Sequence, residues 1–136
     1  MRTETIYELL TTAIHEVITE PWTIAELNIQ YLVSSKEAEC DGTYLDASGE
    51  VQILSTEFPD EVIEALPELF TNRANEGQSP ANSLQITISF EGRIAVDYDW
   101  DQELQDEDEH FIKGGTVKEW VQIRKEKYGL SPEPLD

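Results

Sequence analysis

The sequence predicts an α+β domain, in which an antiparallel sheet of about five strands packs with three helices in the order α-β-β-β-α-β-β-α. Three observations carry this expectation. Apolar residues recur at steps of three and four in residues 5–20 and 58–75, they recur at every second position in 22–33 and 84–100, and clusters of turn-forming residues separate these segments. A chain of 136 residues, 39% apolar, can bury one core, so a single domain over 1–136 is expected, with 131–136 as an unanchored flexible tail.

The first helix is expected over residues 5–20, where Ile6, Leu9, Leu10, Ala13, Ile14, Val17 and Ile18 share one face. Thr5 and Glu8 have the spacing of a capping box, and Pro21 blocks continuation. A long strand follows from Trp22 to Val33, with a one-residue phase slip near Ala25 and Glu26 that reads as a bulge. Strands around Ala38 to Leu45 and Val51 to Ser55, joined by the turn residues Asp46-Ala47-Ser48-Gly49, complete an antiparallel meander. Phe58-Pro59-Asp60-Glu61 reads as the entry to a second helix running to about Asn75, which Pro67 must kink or divide. Residues 75–82 are expected to form a loop.

The next hairpin is fixed by parity. A two-residue turn at Glu91-Gly92 would pair Ile88 with Ala95 and set Asp97 and Asp99 beside the apolar face. A three-residue loop of Phe90, Glu91 and Gly92 instead pairs Ile88 with Ile94 and Ile86 with Val96, leaving one face apolar and the other acidic. The four isoleucine and valine side chains are then expected to share a buried face. After an acidic loop, Thr116 and Glu119 have capping-box spacing, Arg124, Lys125 and Lys127 occupy the last turns, and Gly129 follows, so a third helix ends before Pro132. Its buried positions are expected to be Val117, Trp120 and Val121.

The charge balance bears on function: 29 acidic against 9 basic residues give a formal net charge of -20. Such a field repels nucleic acid and anionic lipid but attracts basic proteins and accelerates their encounter. Direct nucleic-acid or membrane binding is therefore not expected. The sequence has no apolar run long enough to span a bilayer and no secretory signal pattern, and its single cysteine, Cys40, allows no internal disulfide, all of which suits a cytoplasmic protein.

Residues 97–109 hold eight carboxylates and no basic residue: Asp97, Asp99, Asp101, Glu103, Asp106, Glu107, Asp108 and Glu109. With Trp100 as an aromatic anchor, these are the expected partner-binding residues. Along a strand, Asp97, Asp99 and Asp101 would project at intervals of roughly 6.7 Å, a spacing that suits a groove evolved for phosphates. The same three aspartates stand at calcium-loop positions one, three and five, but Gln102 replaces the glycine and Asp108 the bidentate glutamate that such a loop needs. No metal or cofactor is expected. Catalysis has little support, because nothing links His15 or His110 to Cys40 or to a serine in a nucleophile elbow. Lys113, Lys118, Arg124, Lys125 and Lys127 follow the acidic run directly and are expected to neutralise part of it.

The amphipathic N-terminal helix before Pro21-Trp22, the Ala-Val-Asp-Tyr-Asp-Trp stretch at 95–100, the segment from Glu64 to Pro80, and Trp120 followed by Arg124 through Leu130 resemble the YezG-like immunity (antitoxin) family. The resemblance covers nearly the whole chain. It implies a non-enzymatic cytoplasmic protein that binds and neutralises a polymorphic toxin, often a nuclease, of the kind used in contact-dependent inhibition between bacteria. It also implies framework roles for Trp22, Tyr98, Trp120 and Tyr128. An acidic nucleic-acid mimic that inhibits DNA-binding proteins, and a calcium-binding module, are the alternative functions.

Overall fold

A computed structural model describes residues 1–129. The expected 131–136 tail lies outside the described residues. The chain forms two compact units, Met1–Trp100 and Asp101–Asp136. The fold class is as expected, α+β with a five-stranded antiparallel sheet, but the described residues form four helices rather than three.

In the first unit, helices α1 (Thr3–Val17) and α2 (Asp60–Asn75) pack on one face of a sheet formed by β1 (Trp22–Leu32), β2 (Glu37–Asp46), β3 (Val51–Ile53), β4 (Ser83–Ser89) and β5 (Ile94–Asp99). The strand order is β3-β2-β1-β4-β5. The core interleaves Ile6, Leu10 and Ile14 of α1 with Leu66 and Leu69 of α2 over Leu27, Ile29, Leu84, Ile86 and Ile88. β1 is central and hydrogen-bonds on both edges, which is why its alternation is so regular.

Helix α1 starts at Thr3 and ends at Val17, so Thr5 and Glu8 lie inside it and form no capping box. Its end also precedes Pro21 by several residues. Ile18 turns to extended backbone and remains buried, and Pro21 instead accepts a hydrogen bond from the Ala47 amide at the mouth of the β2–β3 turn. The β1 irregularity falls between Trp22 and Ile24, not at Ala25 and Glu26, and it moves Ile24 to the face opposite the core while Ala25 joins the core. Helix α2 is continuous through Pro67, so the proline does not divide it. The β2–β3 turn is organised by Asp46, whose carboxylate accepts hydrogen bonds from the Ser48 and Glu50 amides and from Gln52 Nε2; the bond from Gln52 is the main influence holding its pKa below the usual carboxylate value.

The β4–β5 hairpin has the three-residue register: Ile88 pairs with Ile94 and Ile86 with Val96, and Gly92 takes φ +96°. The shared burial does not follow. Ile86 and Ile88 are fully buried, whereas Ile94 and Val96 are 38% and 42% exposed. Pairing fixes which face a side chain uses, but β5 is the terminal strand, and the helix layer covers β1, β2 and β4 instead. The cost expected for a charge at Val96 falls accordingly, since its side chain already reaches water.

In the second unit, the segment expected to be an acidic loop is helix α3 (Gln102–Ile112), followed by α4 (Val117–Tyr128). α3 lacks a buried stripe and is stabilised by polar means. Asp101 caps its N-terminus by accepting from the Leu104 amide, and Gln102 and Gln105 donate to Asp106 and Glu109 one turn on. The Thr116–Glu119 capping box of α4 is present, and Gly129 closes that helix. Trp120 is buried, but Val117 is exposed and Val121 only half-buried, because α4 buries a narrow strip centred on Trp120.

Candidate protein-binding face

The antiparallel register determines what lies opposite α1 and α2 in the first unit. Core residues of β1 pair with core residues of β2 and β4, so the intervening positions form a second face. Across it, Asp41, Asn28, Gln85 and Asp97 make one row, and Glu39, Gln30, Ser83 and Asp99 the next. Glu37 extends the acidic end and Glu26 lies nearer the centre. At the other end of the sheet, Val51, Leu45, Ile24 and Ser89 make a row, beside Ile53 on β3. None of the five strands contains a lysine or an arginine. The face therefore has an acidic end and an apolar end, with no cation on its strands.

Of the sequence-predicted partner residues, Asp97 and Asp99 project on this face by parity. Asp99 also accepts the Trp100 amide through its carboxylate, and its carbonyl accepts the Asn82 amide. Trp100 is 38% exposed at the end of β5. The remaining candidates belong to the second unit. Asp101 caps α3, and Glu103, Asp106, Glu107, Asp108 and Glu109 lie along it. Two of these have cationic partners from α4: Arg124 pairs with Glu103, and Lys127, together with the Tyr128 hydroxyl, donates to Asp106. The basic last helix thus neutralises part of the acidic run. Missing from the sequence-based set are Glu26, Glu37, Glu39 and Asp41. The alternation of Glu37, Glu39 and Asp41 was visible, but their place beside Asp97 and Asp99 depends on β1 pairing with β4 across the intervening helix α2.

The Lys127 ammonium, then Tyr128, hold the Asp106 carboxyl down to about 2, and Asp106 in turn pushes the Tyr128 hydroxyl up to about 12. A carboxyl whose folded pKa is depressed contributes stability that is present above its unfolded pKa and lost as pH falls through the folded one. The α3–α4 pairing should therefore persist at pH 4 and weaken towards pH 2. Carbon-13 titration of Asp106 should give a midpoint near 2. In Lys127→Met the midpoint should move up towards the ordinary aspartate value, and an unchanged midpoint would show that the lysine does not hold it.

A separate cleft of about 400 Å³ lies at the edge of the helix layer, lined by Glu4, Tyr7, Arg73, Glu76 and Tyr98 among others. The Tyr7 and Tyr98 hydroxyls are 2.9 Å apart, and Arg73 stacks 4.6 Å from the Tyr98 ring centre while donating to the Ser79 carbonyl and to Gln78. Burial raises both tyrosine pKa values, so both hydroxyls stay protonated at neutral pH. Phe70 joins this cluster, stacked on Tyr31 and edge-on to Tyr98. Arg73 is held by its neighbours, and the cluster closes the edge of the core.

The three residues weighed for catalysis in the sequence, His15, His110 and Cys40, each pack against or bond to neighbours. His15 is half-buried, with its ring 5.0 Å from Trp22 and 5.1 Å from Phe90. His110 hydrogen-bonds the Thr116 carbonyl and packs near Trp120. Burial pushes the Cys40 thiol pKa up, the opposite of what a nucleophile needs. Among the described residues, no group of three or more His, Cys, Asp or Glu side chains is arranged to hold a metal ion. Asp97 and Asp99 lie on a strand and Asp101 caps a helix, so the three do not form a calcium-type loop. No helix among the described residues is long and apolar enough to cross a membrane. No family model matches the chain, and no curated protein matches it in sequence.

Proposed function

We propose that the chain is an immunity protein (antitoxin), acting in the cytoplasm without catalysis, that binds a basic toxin domain of nuclease type and neutralises it stoichiometrically. The observation that carries this reading is the segregation of charge: a net charge of -20, with five strands that bear no cation and a sheet face on which Asp97 and Asp99 join four further carboxylates. Such a face is complementary to a cleft lined by lysine and arginine, and occluding that cleft excludes its nucleic-acid substrate. The resemblance of the sequence to the YezG-like family supports the same reading.

Co-expression with a basic nuclease-type toxin domain, sought first among the genes flanking this one, tests it. The expected result is protection of the cell and a one-to-one complex. Its association rate should fall roughly tenfold or more between low and high salt, because the attraction is screened beyond a Debye length of about 8 Å at physiological ionic strength. Neutralising Asp106 to Glu109 should chiefly slow association, whereas a folded Asp99→Ala, Trp100→Ala double variant should shorten the lifetime of the complex. Full protection by that double variant, with an unchanged lifetime, would remove β5 from the interface. Absence of any complex with the basic domain would overturn the function.

A further inference from the structure

The apolar end of the open sheet face has no role in the acidic attraction just described. Val51 is 66% and Ile53 88% exposed, although both are β-branched strand residues, and Ile24 on β1 is 42% exposed. The register brings them together: Val51 pairs with Leu45, Leu45 with Ile24, and Ile53 with Thr43. A shallow cavity of about 220 Å³ lies between them, lined by Ile24, Glu26, Thr43, Leu45 and Val51 among others. That is below the ~300 Å³ at which sites for drug-sized ligands begin, and it suits a single inserted side chain. The displacement of Ile24 to this face is produced by the irregularity at the start of β1.

We propose that this apolar corner is the anchoring site for a basic protein partner, receiving one large apolar side chain of that partner while lysine or arginine residues beside it meet the carboxylates of the same face. The occupant follows from charge. Glu26 lies at the rim of the cavity and Asp41 and Glu39 occupy the next rows of the same strand pair; the strands supply no cation, and Arg93, which pairs with Ser89 at the far end of the apolar row, is a single charge against these carboxylates. A second copy of the chain would bring another molecule of net charge -20 against this face, and repulsion opposes that pairing. The layout, an apolar corner with carboxylates along one side of it, lets the apolar contact set the lifetime of a complex and the charges its encounter rate. The proposal rests on the reading that the partner is a basic protein, but not on that protein being a toxin.

The test uses the full chain and two synthetic peptides of equal length and equal lysine content, one spaced by serine and the other by leucine and phenylalanine. Methyl NMR should show the second peptide shifting Ile24, Val51 and Ile53 and binding at least tenfold more tightly than the first. In Ile53→Ser and Val51→Ser, both exposed positions whose thermal melts should match the parent, that advantage should disappear. Equal binding of the two peptides, or shifts confined to other residues, would overturn the proposal. So would self-association by sedimentation that is lost in Ile53→Ser, since the occupant would then be a second copy. Loss of toxin protection with the methyl shifts retained would overturn only the immunity function, and salt-dependent protection without these shifts would overturn only the anchor.

Discussion

Replacing Ile86 with alanine is expected to cost about 2–5 kcal/mol of unfolding free energy, whereas Val96→Ala costs about 1 kcal/mol or less. The two residues are cross-strand partners of similar chemistry, so strand pairing alone would predict similar effects. Their surroundings differ. Ile86 lies within the core beside Leu27 of β1, where its truncation leaves a cavity, while Val96 stands on the terminal strand and is 42% exposed. Chemical denaturation of the two variants decides the matter, and equal destabilisation would mean that β5 is covered in solution.

The second large effect is expected at Gly42, on β2 opposite Leu27. A Cβ built there would lie 2.5 Å from the Glu26 carbonyl oxygen and 3.0 Å from Leu54 Cδ2. The first of these is backbone of the central strand, which has no rotamer through which to yield. Gly42→Ala should therefore destabilise the protein by about 1–3 kcal/mol, more than the small gain that alanine ordinarily brings by restricting the unfolded chain. Thermal melts should show the loss clearly. A neutral result would require the β1–β2 spacing to be wider than it is here.

What could be read in advance, and what could not, divides along the range of the interactions. The β4–β5 register was legible because a short loop and the parity of Ile86, Ile88, Ile94 and Val96 admit one solution, and Gly92 supplies the backbone that the loop requires. The capping box of α4 was legible for the same local reason. Helix α3 was not, because helices are recognised by an apolar stripe and this one has none. It depends on Asp101 at its N-terminus and on Arg124, Lys127 and Tyr128, which reach it from another helix. The start of α1 was misplaced because Thr5 and Glu8 have the right spacing for a cap, yet the chain turns helical two residues earlier. Of the candidate face, Asp97 and Asp99 could be named from alternation, but Glu26, Glu37, Glu39 and Asp41 needed the long-range pairing of β1 with β4. The apolar corner was hidden by the position of the irregularity in β1.

Asp97 and Asp99 stand on a terminal strand, and that placement has a bearing on how the molecule behaves at high concentration. The outer margin of a sheet is a template onto which another chain can add, and like charges there deter such growth. At the opposite margin β3 is only three residues long, too short to template a long ladder. Under the proposed function, the carboxylates that meet the partner are therefore also those expected to oppose the stacking of identical molecules edge to edge. Any change that neutralises them to retune affinity gives up part of that protection, so specificity on this strand is tied to solubility.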